Sequence, residues 1–280
     1  MFQDIAPHVF NNEYDRRRPA PSDYLVLLDG RKILLSGDKK LPTAADFEKF
    51  CPQAVSEAFY LFSIDETGFF FTHTPFEERE EIPFRYQNIM VLRDMESDCL
   101  AFGAAVAAQL GEWYSLHRFC GCCAVPTVHS DEERAIRCPS CGHLYYPRIS
   151  PVVIIAIVDG DKLLLTRYNR SGYRRHALVA GFVEVGETLE DAVRRETMEE
   201  VGLKVKNIRY CESQPWPFSS SLIAGFFADV DGDPSVHLNT DGKEELSEGI
   251  WVNREDLVIE DNSVSLTWDM IRKFRDGLVP

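Results

Sequence analysis

The sequence predicts an α+β chain, α/β in its second half, made of a β-rich N-terminal domain, a compact four-cysteine insert and a mixed α/β C-terminal domain. Three observations carry this expectation. Short apolar runs separated by turn residues fill residues 1–95, two Cys-x-x-Cys pairs lie within residues 120–147, and a β-branched run, a hairpin and an acidic helix pattern follow one another in residues 148–280. With 280 residues, 45% of them hydrophobic, the chain has apolar material for two buried cores rather than one.

Residues 24–28, the Asp29-Gly30 turn and residues 32–35 predict a first hairpin, and residues 59–64 with 69–72 a second. Residues 96–119 form a connecting helix. There Leu100, Ala104, Ala107, Ala108, Leu110, Trp113, Tyr114 and Leu116 recur at helical spacing, with Ser97 available as the N-cap. Residues 151–158 are a continuous β-branched run, typical of a strand buried on both faces, and the turn at Asp159-Gly160-Asp161 leads to a second strand over 162–166.

A net charge of −15 argues against general electrostatic affinity for nucleic acid, which needs many lysine and arginine contacts to phosphate, so any phosphate-bearing substrate must be held locally. Arg16, Arg17 and Arg18 are the one conspicuous basic run; beside proline, they read as a solvated loop with no assigned role. No stretch approaches the roughly 18 uninterrupted apolar residues of a membrane helix. The N-terminal segment lacks the charged-then-apolar order of a signal peptide, so a cytoplasmic protein is expected.

Cys120-x-x-Cys123, fourteen intervening residues, then Cys138-x-x-Cys141 is the spacing of a tetrahedral four-thiolate zinc site. Four protein ligands leave no open position for water, so this zinc is expected to be structural. Spacing makes Cys122 a bystander, and Cys51, Cys99 and Cys211 read as small buried hydrophobes.

A glycine-flanked loop over 181–187 leads into a helix over 189–201. Thr188 and Asp191 form its N-terminal cap and Gly202 its stop. Leu189, Ala192, Val193, Thr197 and Val201 are expected on one side, with Glu196 and Glu200 projecting together from another and Glu199 beside them. Like charges at that spacing repel by several tenths of a kcal/mol unless a cation neutralises them. Oxygen-only ligands suit magnesium, with manganese as a substitute. Such ions polarise a phosphoryl oxygen, acidify a bound water and stabilise the leaving phosphate, while a free carboxylate takes the water's proton.

Gly181, Glu187, Arg195-Glu196, Glu199-Glu200, Gly202 and Leu203 reproduce the signature of the Nudix hydrolases, with Thr197 standing where an aliphatic residue is usual. Downstream, Ser213-Gln214-Pro215-Trp216-Pro217-Phe218 joins two prolines, a tryptophan and a phenylalanine in one extended segment. The order of β-rich domain, zinc ribbon, Nudix motif and this segment resembles the NADH pyrophosphatase family of Nudix hydrolases, also known as NAD-capped RNA hydrolases. Ser219 replaces the family's usual next proline.

The resemblance implies a C-terminal Nudix fold, a mixed sheet sandwiched between helices. It makes Glu196, Glu199 and Glu200 the catalytic and metal-binding carboxylates, adds the carbonyl of Ala180 and the side chain of Glu245 as magnesium or manganese ligands, and pairs Arg195 with Glu187. Glu244 and Glu248 remain alternatives to Glu245, which only its position relative to Trp251 favours. Tyr146, Phe182, Gln214, Pro215, Trp216, Pro217, Phe218, Ser219, Ser220, Ser221 and Ser265 would contact substrate, Phe182 by stacking on nicotinamide. The implied reaction splits the central diphosphate of NADH or NAD into nicotinamide mononucleotide and AMP, and the same bond occurs in NAD-capped RNA 5′ ends. The resemblance also implies a homodimer. Two rivals stand beside it: an ADP-ribose or dinucleoside polyphosphate hydrolase of the same superfamily, and a noncatalytic nucleotide-binding zinc-ribbon module.

Overall fold

The computed structural model describes residues 1–169, 175–259 and 265–279. The chain forms two compact units. One comprises Gln3–Arg148 with Pro217–Ser220, and the other Met1–Phe2, Ile149–Trp216 and Ser221–Pro280.

In the first unit the elements run β1 (Phe10–Asn11), β2 (Tyr24–Val26), β3 (Leu28–Asp29), β4 (Lys32–Ser36), α1 (Ala44–Phe50), α2 (Pro52–Ser56), β5 (Phe59–Ile64), β6 (Thr67–Phe71), β7 (Phe84–Asn88), α3 (Asp98–Leu116) and three short strands, β8 (Val128–His129), β9 (Ile136–Arg137) and β10 (Leu144–Tyr145). Strands β1, β5, β6 and β2 form one sheet in that order, β3, β4 and β7 a second, and β10, β9 and β8 the small sheet of the cysteine insert. The hairpin expected over residues 59–72 is present as β5–β6. The one over 24–35 is shorter than its pattern: only β3 and β4 form it, while β2 pairs in parallel with β6. Leu25, Val26 and Leu27 are all buried, so this stretch is covered on both sides and its run of apolar residues belongs to two sheets. Helix α3 starts at its Ser97 cap, whose hydroxyl accepts from Leu100 N–H at 3.3 Å.

The second unit is a six-stranded mixed sheet. Its strands are β11 (Ser150–Asp159), β12 (Lys162–Tyr168), β13 (Val179–Phe182), β14 (Val205–Trp216), β15 (Ser221–Val230) and β16 (Leu246–Asn253), and two helices accompany them, α4 (Leu189–Val201) and α5 (Leu266–Arg275). The path is β14-β15-β11-β12-β16, parallel only between β11 and β15, with β13 added antiparallel to β11. Side chains alternate across β11. Val153, Ile155 and Ile157 enter the core under α4 with Ala192, Val193 and Val201, while Ile154 and Ala156 enter the opposite core with Leu266, Met270, Ile271 and Phe274 of α5. The sheet is therefore sandwiched between helices, as expected. Among the described residues no helix is long and apolar enough to cross a membrane.

Candidate functional site

Helix α4 is built by local rules at both ends. The Thr188 hydroxyl accepts from Asp191 N–H at 3.1 Å, and Gly202 closes the helix in the left-handed region at φ 69°, its N–H donating to the Met198 carbonyl. Between these caps Ala192, Val193, Glu196, Thr197, Glu200 and Val201 are all buried. Glu196 and Glu200 thus do not project from a side of their own, as their spacing suggested. They lie on the inward face, because strand β13 runs close along the helix. A Cβ built at Gly181 would overlap the Glu196 carboxylate, so a larger residue there would displace that carboxylate.

Arg195 ties the preceding loop to the helix. Its Nε and Nη2 donate to the two Glu187 carboxylate oxygens at 2.6 and 2.8 Å, a bidentate pair. Nη2 also reaches the Phe182 carbonyl at 2.9 Å, and Nη1 reaches Glu196 at 2.6 Å and Glu199 at 3.2 Å. The guanidinium and a donated Glu184 N–H hold the Glu187 carboxyl down at about 2.

Glu200 is in the opposite condition. Burial first, then the charges of Glu196 and Glu245, push its carboxyl up to about 8, although the Ala180 N–H donates to it. Among the described residues its Oε2 is buried without a hydrogen-bond partner. Burial also raises Glu196, partly countered by Arg195. A buried, unbonded carboxylate oxygen among like charges suits a hard divalent cation. Of the three candidates in residues 244–248, it is Glu245 whose charge pushes up both Glu196 and Glu200. Glu248 is taken by Arg167 at 3.1 Å, with His176 at 3.7 Å. The carboxylates do not converge as tightly as the cysteines. Among the described residues, Cys120, Cys123, Cys138 and Cys141 are the cluster whose ligand atoms all lie within 4.8 Å of one another.

In that cluster Cys120 and Cys141 sulfurs are 3.6 Å apart and Cys123 and Cys138 sulfurs 3.5 Å. A tetrahedron with Zn–S bonds of about 2.3 Å has S···S edges of about 3.8 Å, so the four thiols fit a structural zinc. The Tyr145 hydroxyl donates to Cys120 Sγ at 3.4 Å while accepting from Gly121 N–H at 2.7 Å. It holds the Cys120 thiol down to about 5, toward the thiolate that a metal requires. Cys122 is exposed and stands outside the cluster.

Residues 148–274 match the NUDIX domain, and residues 115–146 match the NADH pyrophosphatase zinc ribbon domain. The C-terminal unit is a Nudix domain. The four cysteines are accordingly the core of a zinc ribbon that precedes it. Among similar curated proteins, the NAD-capped RNA hydrolase NudC of Citrobacter koseri is 48% identical over 154 residues, which are 55% of this chain and 58% of that protein. The NAD-capped RNA hydrolase NudC of Chromobacterium violaceum is 52% identical over 129 residues, 46% of this chain and 49% of its own. The chain thus spans about half or a little more of the length of these relatives. A crystal structure of a Nudix hydrolase from Nitrosomonas europaea aligns over 58% of this chain and 94% of its own at 24% identity, with a TM-score of 0.49.

The other expected site residues divide between the units. In the Nudix unit, Phe182 is exposed at the end of β13, next to the Ala180-Gly181 step. Gln214 is fully buried, its amide oxygen accepting from Leu266 N–H at 2.8 Å at the start of α5, where Ser265 is the N-cap. Pro215 and Trp216 are partly buried, Trp216 lies edge-on to Phe2, and Ser221 is buried at the start of β15. Pro217, Phe218, Ser219 and Ser220 belong to the N-terminal unit, as does Tyr146, whose hydroxyl donates to Glu133 at 2.9 Å.

Sequence reasoning missed Asn239 and Asp241. Asn239, at φ 56°, accepts from the N–H groups of Glu245 and Leu246 with its side-chain oxygen at 3.1 and 2.9 Å, and donates its own N–H to the Glu200 carbonyl. It thereby fixes the backbone of Glu245 relative to helix α4. Asp241 adds to the charge that raises Glu200. The available signal was the Asn-Thr-Asp-Gly turn, whose first residue tolerates the left-handed region.

Proposed function

We propose that this protein hydrolyses the diphosphate bond of NADH or NAD to nicotinamide mononucleotide and AMP, and removes the same dinucleotide from NAD-capped RNA 5′ ends. The observation that carries the reading is the Glu200 carboxylate, buried with an unbonded oxygen beside Glu196 and within the field of Glu245. Glu196, Glu199, Glu200, Glu245 and the carbonyl of Ala180 would hold magnesium or manganese. Bound there, such ions polarise a phosphoryl oxygen, acidify the attacking water and stabilise charge on the leaving phosphate.

The chain's own residues do the rest. Arg195 and Glu187 hold the loop over 181–187 against the helix, so that the carboxylates meet the substrate in a fixed geometry. A glutamate of the trio with a free oxygen takes the proton of the water. Phe182, exposed and apolar, stacks on the nicotinamide ring. The names of the relatives support the dinucleotide and the capped RNA as substrates. A cytoplasmic location and a homodimeric state belong to the same reading.

Purified protein incubated with magnesium or manganese should release AMP from NADH and NAD and shorten NAD-capped RNA. Glu200→Gln should lose several powers of ten in turnover while keeping its zinc. If no substrate among NADH, NAD, ADP-ribose and capped RNA yields an AMP-releasing cleavage, the enzymatic reading fails. Faster cleavage of ADP-ribose than of NADH would move the assignment to a neighbouring Nudix specificity.

A further inference from the structure

We propose that the groove beside Arg16, Arg17 and Arg18, in the N-terminal unit, binds single-stranded RNA, its guanidinium groups taking phosphates and its aromatic wall taking a base. The groove encloses about 350 Å³ and is lined by these three arginines, Asp15, and the rings of Tyr14, Phe59, Tyr60, Tyr114 and His129. In a chain of net charge −15, three arginines against one acid on a single concave surface is a local reversal of sign. The volume suits one nucleotide rather than a duplex groove.

Arg16, Arg17 and Arg18 lie in an exposed segment without secondary structure, as their sequence suggested, but the segment is tethered. The segment that carries them is anchored to the zinc ribbon, where the Tyr14 hydroxyl donates to the Ser130 carbonyl at 2.7 Å and Arg134 donates to the Asn12 side chain at 2.8 Å. The Arg17 guanidinium lies over the Tyr60 ring at 4.8 Å, with Nη2 turned toward Gly68 and the buried Asp23. Its nearest carboxylate, Asp23, is 3.8 Å away and already accepts from the N–H groups of Gly68 and Ala20. Arg16 pairs with Asp131, but both side chains are largely exposed, so a phosphate can replace that partner at little cost. Among the described residues, Arg18 makes no ion pair.

The wall is equally ordered. Tyr114 and His129 stack at 4.8 Å and 10°, and Phe59 meets both edge-on at 4.6 and 4.4 Å. Tyr60 and Tyr114 are buried within this wall, and His129, exposed and part of the groove lining, is the ring of the stack that reaches solvent. Guanidinium and ring together are the equipment for a nucleotide whose base is unstacked, as in a single strand. A free nucleotide offers the same chemistry, and length dependence separates the two sources.

The test is anisotropy of a labelled, uncapped oligoribonucleotide of about a dozen residues in magnesium-free buffer. The expected result is binding whose salt dependence has a slope near −2, from three phosphate contacts at about 0.7 each. The combined R16Q, R17Q and R18Q variant should weaken binding at least tenfold and flatten that slope. R18Q alone, which removes no hydrogen bond or ion pair among the described residues, should weaken it about threefold and guards against misfolding of the triple variant. NADH turnover should be unchanged in both.

Absence of binding by the wild-type protein, or equal affinity in both variants, would overturn the proposal. AMP competing as well as the oligonucleotide would also overturn it, in favour of a mononucleotide site. Binding is read without cleavage, so failure here and failure of the hydrolase reading are distinguishable.

Discussion

A carboxylate buried beside two others opposes folding, and Glu200 is one. Its folded pKa, about 8, lies above the ordinary 4.5, so between those pH values the folded chain holds a proton that the unfolded chain has lost. Stability then falls as pH rises through that window, by on the order of a few kcal/mol. Glu200→Gln is therefore expected to melt above the wild type at pH 8 and level with it near pH 4.5, in magnesium-free buffer without chelator, which would also strip zinc. A variant less stable than wild type at pH 8 would refute the assigned environment. Thr197, on the same helix, is fully buried with its hydroxyl unpartnered among the described residues. Thr197→Val keeps the shape and removes the unsatisfied group, so it should stabilise the protein by about 1–2 kcal/mol in denaturant melts with unchanged turnover. Loss of stability would mean that the hydroxyl has a partner in solution. That Glu196, Glu199 and Glu200 share one helix was legible from spacing. The burial of Glu196 and Glu200 was not, because a periodicity argument counts every glutamate as polar, and Gly181, which faces the Glu196 carboxylate, acts from strand β13.

The boundaries of α3 and α4 were legible because caps are local, whereas α1, α2 and α5 were not anticipated. Ser97, Thr188 and Gly202 each act within a few residues of their partners. The strand over 24–28 was misread for the converse reason: its partner β6 lies some forty residues on, and no local pattern names it. The choice among Glu244, Glu245 and Glu248 likewise depends on distant groups, Arg167 and His176 for Glu248 and the carboxylates of α4 for Glu245. The clamp between the loop and α4 combines the two kinds of information. Arg195 joins Glu187, Glu196, Glu199 and the Phe182 carbonyl through one planar group, a geometry that a lysine ammonium cannot copy. Arg195→Leu should speed amide exchange in residues 182–187 and lower kcat/KM about tenfold or more, with Arg195→Lys intermediate. Wild-type exchange in that loop for the leucine variant would show that the loop is held by something else.

At the scale of the whole molecule, the cysteine insert is part of the N-terminal unit rather than an appendage. Tyr14 reaches Ser130, and Arg134 reaches both Asn12 and the Leu61 carbonyl of β5. The insert itself has only three two-residue strands and few buried apolar side chains, so little besides the metal can order it. Loss of zinc should therefore unfold the ribbon and release the segment tied to it, while the Nudix unit, whose two cores lie on the faces of its own sheet, is expected to persist. Cys138→Ser removes a fully buried ligand. Wild-type protein should contain about one zinc per chain and the variant almost none, with a first melting transition lower by roughly 10 °C and a second, assigned to the Nudix unit, unchanged. A single cooperative transition that falls as a whole would show instead that the two units unfold together, and a variant that retains its zinc would remove Cys138 from the site.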